Sequence, residues 1–379
     1  MVTATLDQVA KRAGVAKSTA SMALRNHPNL SKATRERVQR AARELGYRPN
    51  PSISALMTHI RSSQPVRTRD VIGFVSGYPT VEALKALPAN RDSFEGARER
   101  AESLGYRMNY FSLDPEILSQ RRLSDILVAR GIRTLVFGPQ RNLREAINLD
   151  WDQFSASVIG YSTFQPALHR AVPNDYICMH LAIKRLLQAR YCRPGVVMDW
   201  SFDTDSDNQL SAAYLAFQYR HPEELRVPLM IVEDDEDFRE VFELWFTAQR
   251  PDCVIAQDAR VIPWLQEMGY RVPEDVGVAS LSLPSNEDRI SGICPHWYYV
   301  GAAAVDLAVA ASQRNETGIP RRPKLSMVYG YWIGGETHQP QEGEGILRGR
   351  GFQRYMMHSR SRIHLEDTRQ EKPAADGAG

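Results

Sequence analysis

The sequence predicts an all-α helix-turn-helix headpiece followed by an α/β body of two lobes built on parallel sheets. Three observations predict it. Positive charge is gathered at one end: residues 1–63 hold eleven Lys/Arg against three Asp/Glu, a net of +8, and the rest holds 36 against 42, a net of −6. Two short apolar-periodic segments meet at a small-residue turn around Gly14. From residue 70 onward, short apolar runs alternate with amphipathic helices through two rounds. A basic head on a mildly acidic body points to a head that meets a polyanion and a body that does not.

The 379 residues suffice for two or three domains with a sizeable core, and a 43% apolar, 24% charged composition is that of a soluble globular protein. Cys178, Cys192, Cys253 and Cys294 form no CxxC pair, so reduced thiols are expected rather than a metal or disulfide framework. No apolar h-region opens the chain and no run reaches ~18 uninterrupted apolar residues, so a cytoplasmic protein without a membrane partner is expected.

The headpiece, 1–49, reads as three helices. In "TLDQVAKRAG", Leu6, Val9, Ala10 and Ala13 fall on one face, Thr5 is placed to cap, and Gly14 is placed to stop the helix. In the second segment Val15, Thr19, Ala20, Ala23 and Leu24 are set to pack inward. Lys17, Ser18, Ser21, Met22 and Arg25 are left outward. Two helices joined by a short glycine turn can place the second in a major groove. The third, "KATRERVQRAARELG" after the N-cap Ser31, puts Ala33, Val38, Ala41, Ala42 and Leu45 on an apolar stripe and Arg35, Arg37, Arg40 and Arg43 on the wet side. Residues 50–69 hold a short helix from about 51 to 59 and a polar linker, "SSQPVRTR". Ile53, Leu56, Met57 and Ile60 make that helix apolar on one side, suited to packing on the next domain or to a dimer that wedges open the minor groove.

At these residues the chain resembles the lactose-repressor family of bacterial transcription regulators, the LacI/GalR type. The stretch "TLDQVAKRAGVAKSTASMALRNHPNLSKATRERVQRAARELGYRPN" carries the resemblance without a gap. It implies a homodimer, a palindromic double-stranded operator, and a ligand-sensing body like a periplasmic sugar-binding protein. The family's base-reading positions fall on Lys17, Ser18 and Met22. Its phosphate contacts fall on Thr5, Leu6 (through its backbone N–H), Thr19, Ser21, Asn26, Thr34 and Asn50, and its minor-groove wedge on Leu56. Met22 departs from the polar or basic residue common there: a thioether cannot make the bidentate guanine contact of an arginine, but it can touch a thymine methyl.

The body, 70–336, is read as strands at "DVIGFVSG", "RMNYFSL", "IRTLVFG", "SVIGY", "RPGVVMD", "PLMIVE", "PDCVIAQD", "DVGVASLSL" and one closing strand "KLSMVYGYW". Helices are expected at "RDSFEGARERAESLGY", "PEILSQRRLSDILVARG", "DYICMHLAIKRLLQARY", "DNQLSAAYLAFQYR", "DFREVFELWFTAQR", "ARVIPWLQEMGY" and "VGAAAVDLAVAASQR". Such β-α alternation means parallel sheets covered by helices, with ligand crevices at the strand carboxyl ends. "GYRVPEDVGVASL" and "RRP…YGYWIGGET" extend the resemblance more weakly. It implies effector contacts at the loop Ser76 to Tyr78, at Asn174, Leu210, Asp258 and Ser282. Leu210 and Ser282 stand where an arginine and an aspartate are common, so a sugar is not carried over to this chain.

No GxSxG, P-loop, HExxH or GxGxxG motif is present, so neither an enzyme nor a cofactor is expected. "EDDED" at 233–237 lacks the glycine and spacing of a metal loop and reads as a helix N-terminus. Residues 337–379 lack apolar periodicity and read as a flexible tail. The expected function is transcriptional repression. The alternative is a small-molecule-binding protein whose DNA-binding head is vestigial.

Overall fold

The computed structural model describes residues 5–24, 30–47, 70–140, 146–161, 165–233 and 236–339. The hinge expected at 51–59 and the tail beyond 339 lie outside them.

The headpiece consists of α1 (Leu6–Ala13), α2 (Lys17–Leu24) and α3 (Lys32–Glu44). Its core is made almost wholly of small side chains: Val9, Ala10, Ala13, Ala20, Ala23, Val38, Ala41 and Ala42 are buried, with Leu6, Val15, Leu24, Leu30 and Tyr47 around them. Gly14 ends α1 at φ 63°, a left-handed conformation that glycine adopts without cost. Two expected core positions are not in the core: Ala33 is exposed, and Leu45, which caps α3, keeps 38% of its surface. Both sit in end turns of α3.

The body divides into two compact units, Met1–Val172 with Tyr298–Ser326 (counting the headpiece) and Pro173–Trp297 with Met327–Gly379. The α/β part of unit one carries β1 (Val71–Ser76), α4 (Val81–Lys85), α5 (Pro88–Ser103), β2 (Arg107–Ser112), α6 (Gln120–Ala129), β3 (Thr134–Phe137), β4 (Ser155–Ile159) and β5 (His169–Pro173). Unit two carries α7 (Asp175–Gln188), β6 (Pro194–Asp199), α8 (Trp200–Thr204), α9 (Gln209–Arg220), β7 (Met230–Val232), α10 (Phe238–Gln249), β8 (Cys253–Ala256), α11 (Val261–Glu267), β9 (Gly277–Ser280) and β10 (Gly292–Cys294). The chain then returns through α12 (Trp297–Gln313) and β11 (Leu325–Val328) and ends with β12 (Tyr331–Ile333).

The first sheet runs β11-β5-β4-β3-β1-β2 and the second β12-β10-β9-β8-β6-β7. The pairs from β2 through β5 and from β7 through β10 are parallel. β12, antiparallel to β10, is an exception to the expected parallel pattern. The period of two is visible in the second sheet. Val196, Met198, Cys253 and Ile255 face the cluster under α7 and α9, and Val197, Val254 and Ala256 face the cluster under α10 and α11.

The expected closing strand divides in two. Leu325–Val328 joins the first sheet and Tyr331–Ile333 the second, separated by Tyr329 and Gly330. A Cβ on Gly330 would lie 2.7 Å from Cys178 Sγ and 2.7 Å from the Cys294 carbonyl oxygen, so only glycine fits the passage. In unit one, Gly96 of α5 and Gly301 of α12 let the two helices meet at backbone contact: a Cβ on Gly96 would overlap the Tyr298 carbonyl, and one on Gly301 the Ser93 carbonyl.

Candidate nucleic-acid interface and body sites

Helix α2 is the element offered to a groove. Ala20 and Ala23 are buried against the bundle. Lys17, at the start of the helix, is exposed, and Met22 and Thr19 are half-buried. Small inward residues allow three short helices to approach closely.

The remaining positions have definite local roles. Thr5 caps α1: its hydroxyl accepts from Gln8 N–H at 3.4 Å, and Gln8 Oε1 accepts from Thr5 N–H at 2.8 Å. Leu6, the first residue of α1, belongs to the turn whose N–H groups lack intrahelical acceptors, the setting that suits a phosphate. Thr34 lies in the first turn of α3 with its hydroxyl 2.9 Å from the Ser31 hydroxyl. Asn26, Asn50 and Leu56 lie outside the described residues, as do the side chains of Ser18 and Ser21.

Two arginines serve the fold of the headpiece, which the sequence reading missed. Arg37 Nε donates to the Ala13 carbonyl oxygen at 3.0 Å, closing the C-terminal end of α1. Arg12 pairs with Glu44 at 3.2 Å, joining α1 to α3. The place of Arg12 in the last turn of α1, where cations are favoured, was the available signal. Lys17, Arg40 and Arg43 remain exposed.

In unit one, Tyr78 follows β1 and its carbonyl accepts from the Tyr110 hydroxyl at 2.6 Å. Burial pushes that hydroxyl up to about 12. Ser76, which opens that loop, is fully buried and donates to the Pro139 carbonyl at 2.6 Å. In unit two, Asp258 and Ser282 each lie two residues past a strand, at the carboxyl edge of the second sheet. Asp258 is paired with Arg260 at 2.6 Å, and Ser282 N–H donates to Ser280 Oγ at 3.2 Å. Asn174 caps α7, accepting from Ile177 N–H at 3.1 Å.

Leu210 needs correcting. It is 3% exposed and packs among Met179, Tyr214 and Phe217, so its side chain offers no surface to a ligand. A leucine spaced for a helix interior was filling one. Trp200, by contrast, stands 44% exposed just past the carboxyl end of β6. Tyr298 donates its hydroxyl to Glu99 at 2.5 Å within unit one, which makes it a bridge between helices. Asp237 caps α10, accepting from Arg239 and Glu240 N–H at 2.8 and 3.2 Å, as expected for the acidic run.

The family model described as bacterial regulatory proteins, lacI family, matches residues 5–50, the span of this headpiece. Over those residues the chain is similar to the LacI family. It is a DNA-binding transcriptional regulator, and the head is where the likeness to that family is strongest. The transcriptional repressor CytR of Escherichia coli K12 is 52% identical over 48 residues, 13% of this chain and 14% of its own length. The NTD biosynthesis operon regulator NtdR of Bacillus subtilis is 22% identical over 301 residues, 72% of this chain and 81% of that regulator. Among solved structures, the lac repressor dimer bound to operator and the anti-inducer ONPF matches with a TM-score of 0.51 at 17% identity, over 89% of this chain and 100% of that one. At that identity the likeness is one of fold.

Proposed function

We propose that this LacI-family chain represses transcription as a cytoplasmic homodimer on a near-palindromic operator, without catalysis. Each α2 enters a major groove, with Lys17, Ser18 and Met22 at the base edges. Thr5, the Leu6 N–H, Thr19, Ser21, Asn26, Thr34 and Asn50 hold phosphates, which supply affinity and register but little sequence information. Residues 51–59 order on DNA in the dimer, because isolated helices of ~8 residues are marginal in water. Leu56 then opens the central base step. A small molecule held at Tyr78 in unit one, or at Asn174, Asp258 and Ser282 in unit two, releases or recruits the head by binding two states of the chain unequally.

The observation that carries this reading is the short helix α2, with Lys17 exposed, set over an alanine core in an N-terminal segment, 1–63, of net charge +8. Support for two copies and a ligand comes from the lac repressor structure, described as a dimer bound to operator and to ONPF. The test is a gel shift and footprint of the full chain on genomic fragments. Replacing Leu56 by alanine should weaken operator binding while the body stays folded. Unchanged affinity would remove the wedge.

A further inference from the structure

Helix α9 of unit two is apolar on both sides. Its inward face puts Leu210, Ala213, Tyr214 and Phe217 into the cluster under α7. Its polar residues are turned inward as well: Ser211 and Gln218 are buried, and Gln218 Oε1 accepts from Val227 N–H at 3.2 Å. Between 212 and 219, the side chains that α9 leaves wholly or partly open to solvent are Ala212, Leu215, Ala216 and Tyr219, with no polar one among them. Leu215 keeps 54% of its surface and Tyr219 83%. The four stand at i, i+3, i+4 and i+7, so they form one continuous stripe. A surface helix ordinarily turns its polar residues to water, and a helix apolar all round is one that something covers.

The order of sizes along the stripe identifies what covers it. It reads small, large, small, large. Turned end for end about its midpoint, between Leu215 and Ala216, the stripe sets position 212 opposite 219 and position 215 opposite 216. Tyr219 of one copy then lies over Ala212 of a second copy, and Leu215 over Ala216, so each large side chain meets a small one. Charge agrees with that pairing. Asp207 is exposed two residues ahead of α9, and Arg220 is exposed in its last turn, with Nη1 donating to the Ala216 carbonyl at 3.0 Å rather than to a carboxylate. Antiparallel pairing brings Arg220 to the first turn of the second helix, close to its Asp207, and opposes the two helix dipoles. Glu223 and Glu224 follow beyond the end of α9, on the turn after Pro222.

We propose that the outer face of α9 is a self-association surface on which two copies of this chain pair antiparallel about a two-fold axis, Tyr219 seated on Ala212 and Leu215 on Ala216 of the second copy. Each copy gives the same patch, as a two-fold contact requires. A pair of helices of this length runs about 18 Å and buries less than the roughly 1,200 Å² at which standard interfaces begin. The contact therefore forms at high protein concentration and joins assemblies that exist without it. It goes beyond the operator reading: where pairing on the operator makes dimers, α9 joins dimers to one another.

The test is sedimentation equilibrium of the full chain, without DNA, from dilute to concentrated protein. The mass of the wild type should rise toward about twice its dilute value. Leu215→Glu and Tyr219→Arg change exposed side chains, and each should hold the mass at the dilute value. Exchanging the sizes separates a seated pair from general stickiness. Ala212→Phe adds apolar surface but fills the place that Tyr219 of the second copy must take, so association should be lost, and adding Tyr219→Ala should restore it. A wild-type mass that does not change with concentration, whatever else holds the stripe, would overturn the proposal. So would an Ala212→Phe protein that associates as well as the wild type or better. The doubling is read from whatever state the dilute protein has, so its outcome is separate from that of the operator test.

Discussion

The headpiece and unit two bury their chains by opposite means. The head closes on six alanines and two valines, while unit two is filled with Phe242, Phe246, Phe217, Tyr214, Tyr191 and their neighbours. Alanines let short helices approach closely but remove little apolar surface each, so a core of this kind is held largely by its ends. The Thr5–Gln8 box, the Gly14 turn, the Ser31 cap and the Arg12–Glu44 and Arg37–Ala13 links supply those ends. Aromatic packing needs no such help and carries a larger transfer term per residue. The difference teaches how the two parts divide the work. The head keeps its outer surface free for a polyanion, and the body holds its strand ends in place.

The largest expected effect lies on the aromatic side. Phe242 is fully buried, with ring centroids 5.7 Å from Trp264 and 5.8 Å from Phe246. Phe242→Ala should cost unit two about 3–5 kcal/mol in denaturant unfolding. A loss shared equally by the headpiece would break the contrast. Next comes the head's charge: specific binding should weaken roughly ten- to a thousandfold between about 50 and about 200 mM salt, and a flat titration would count against phosphate contacts. Overfilling the alanine core with Ala23→Leu should cost about 1–3 kcal/mol and lower DNA binding while the unfolding of unit two is unchanged.

Removing an end should cost less. Thr5→Ala deletes the cap of α1 and should lower head stability by about 1 kcal/mol, read from the head's thermal transition. The smallest effect concerns protons. His221 is 4% exposed, and burial lowers its pKa while Nε2 meets the Cys192 carbonyl at 2.8 Å. The unfolded chain then takes up a proton that the native state refuses, so stability falls as pH drops below the ordinary histidine value and levels off below the folded one. His221→Gln keeps a donor for that carbonyl and should lose this part of the acid sensitivity, measured as the difference from wild type across the pH range. Identical profiles would contradict it.

The same contrast governs what the sequence made legible. The head was readable because each of its signals is local: an alanine every third or fourth residue, an N-cap threonine, a helix-ending glycine, and a run of Lys17, Ser18, Ser21 and Met22 off the apolar face. The strands of the body were readable as apolar runs. Val81–Lys85, His169–Pro173 and Gly292–Cys294 were not, because none of them stands out from its flanks as an apolar run. Helix α5 begins at Pro88, earlier than its apolar stripe suggested, since proline is well suited to a first turn. The division at Tyr329–Gly330 was hidden because both halves are apolar and only tertiary crowding at Cys178 demands the glycine. Leu210 shows the limit of position-by-position transfer: a leucine that fills a helix interface carries no mark that distinguishes it from one lining a site. Asn174 was read only as an effector position; its place before an apolar helix in "VPND" was a capping signal that the reading passed over.

Selection of the full-length protein against a randomised duplex library, with the number of chains per duplex counted by mass, tests the central claim most directly. The account predicts a near-palindromic site of two half-sites holding two chains, and loss of the preference when Lys17 and Met22 are both changed to alanine. Enrichment of no sequence, or of one half-site holding one chain, would contradict it.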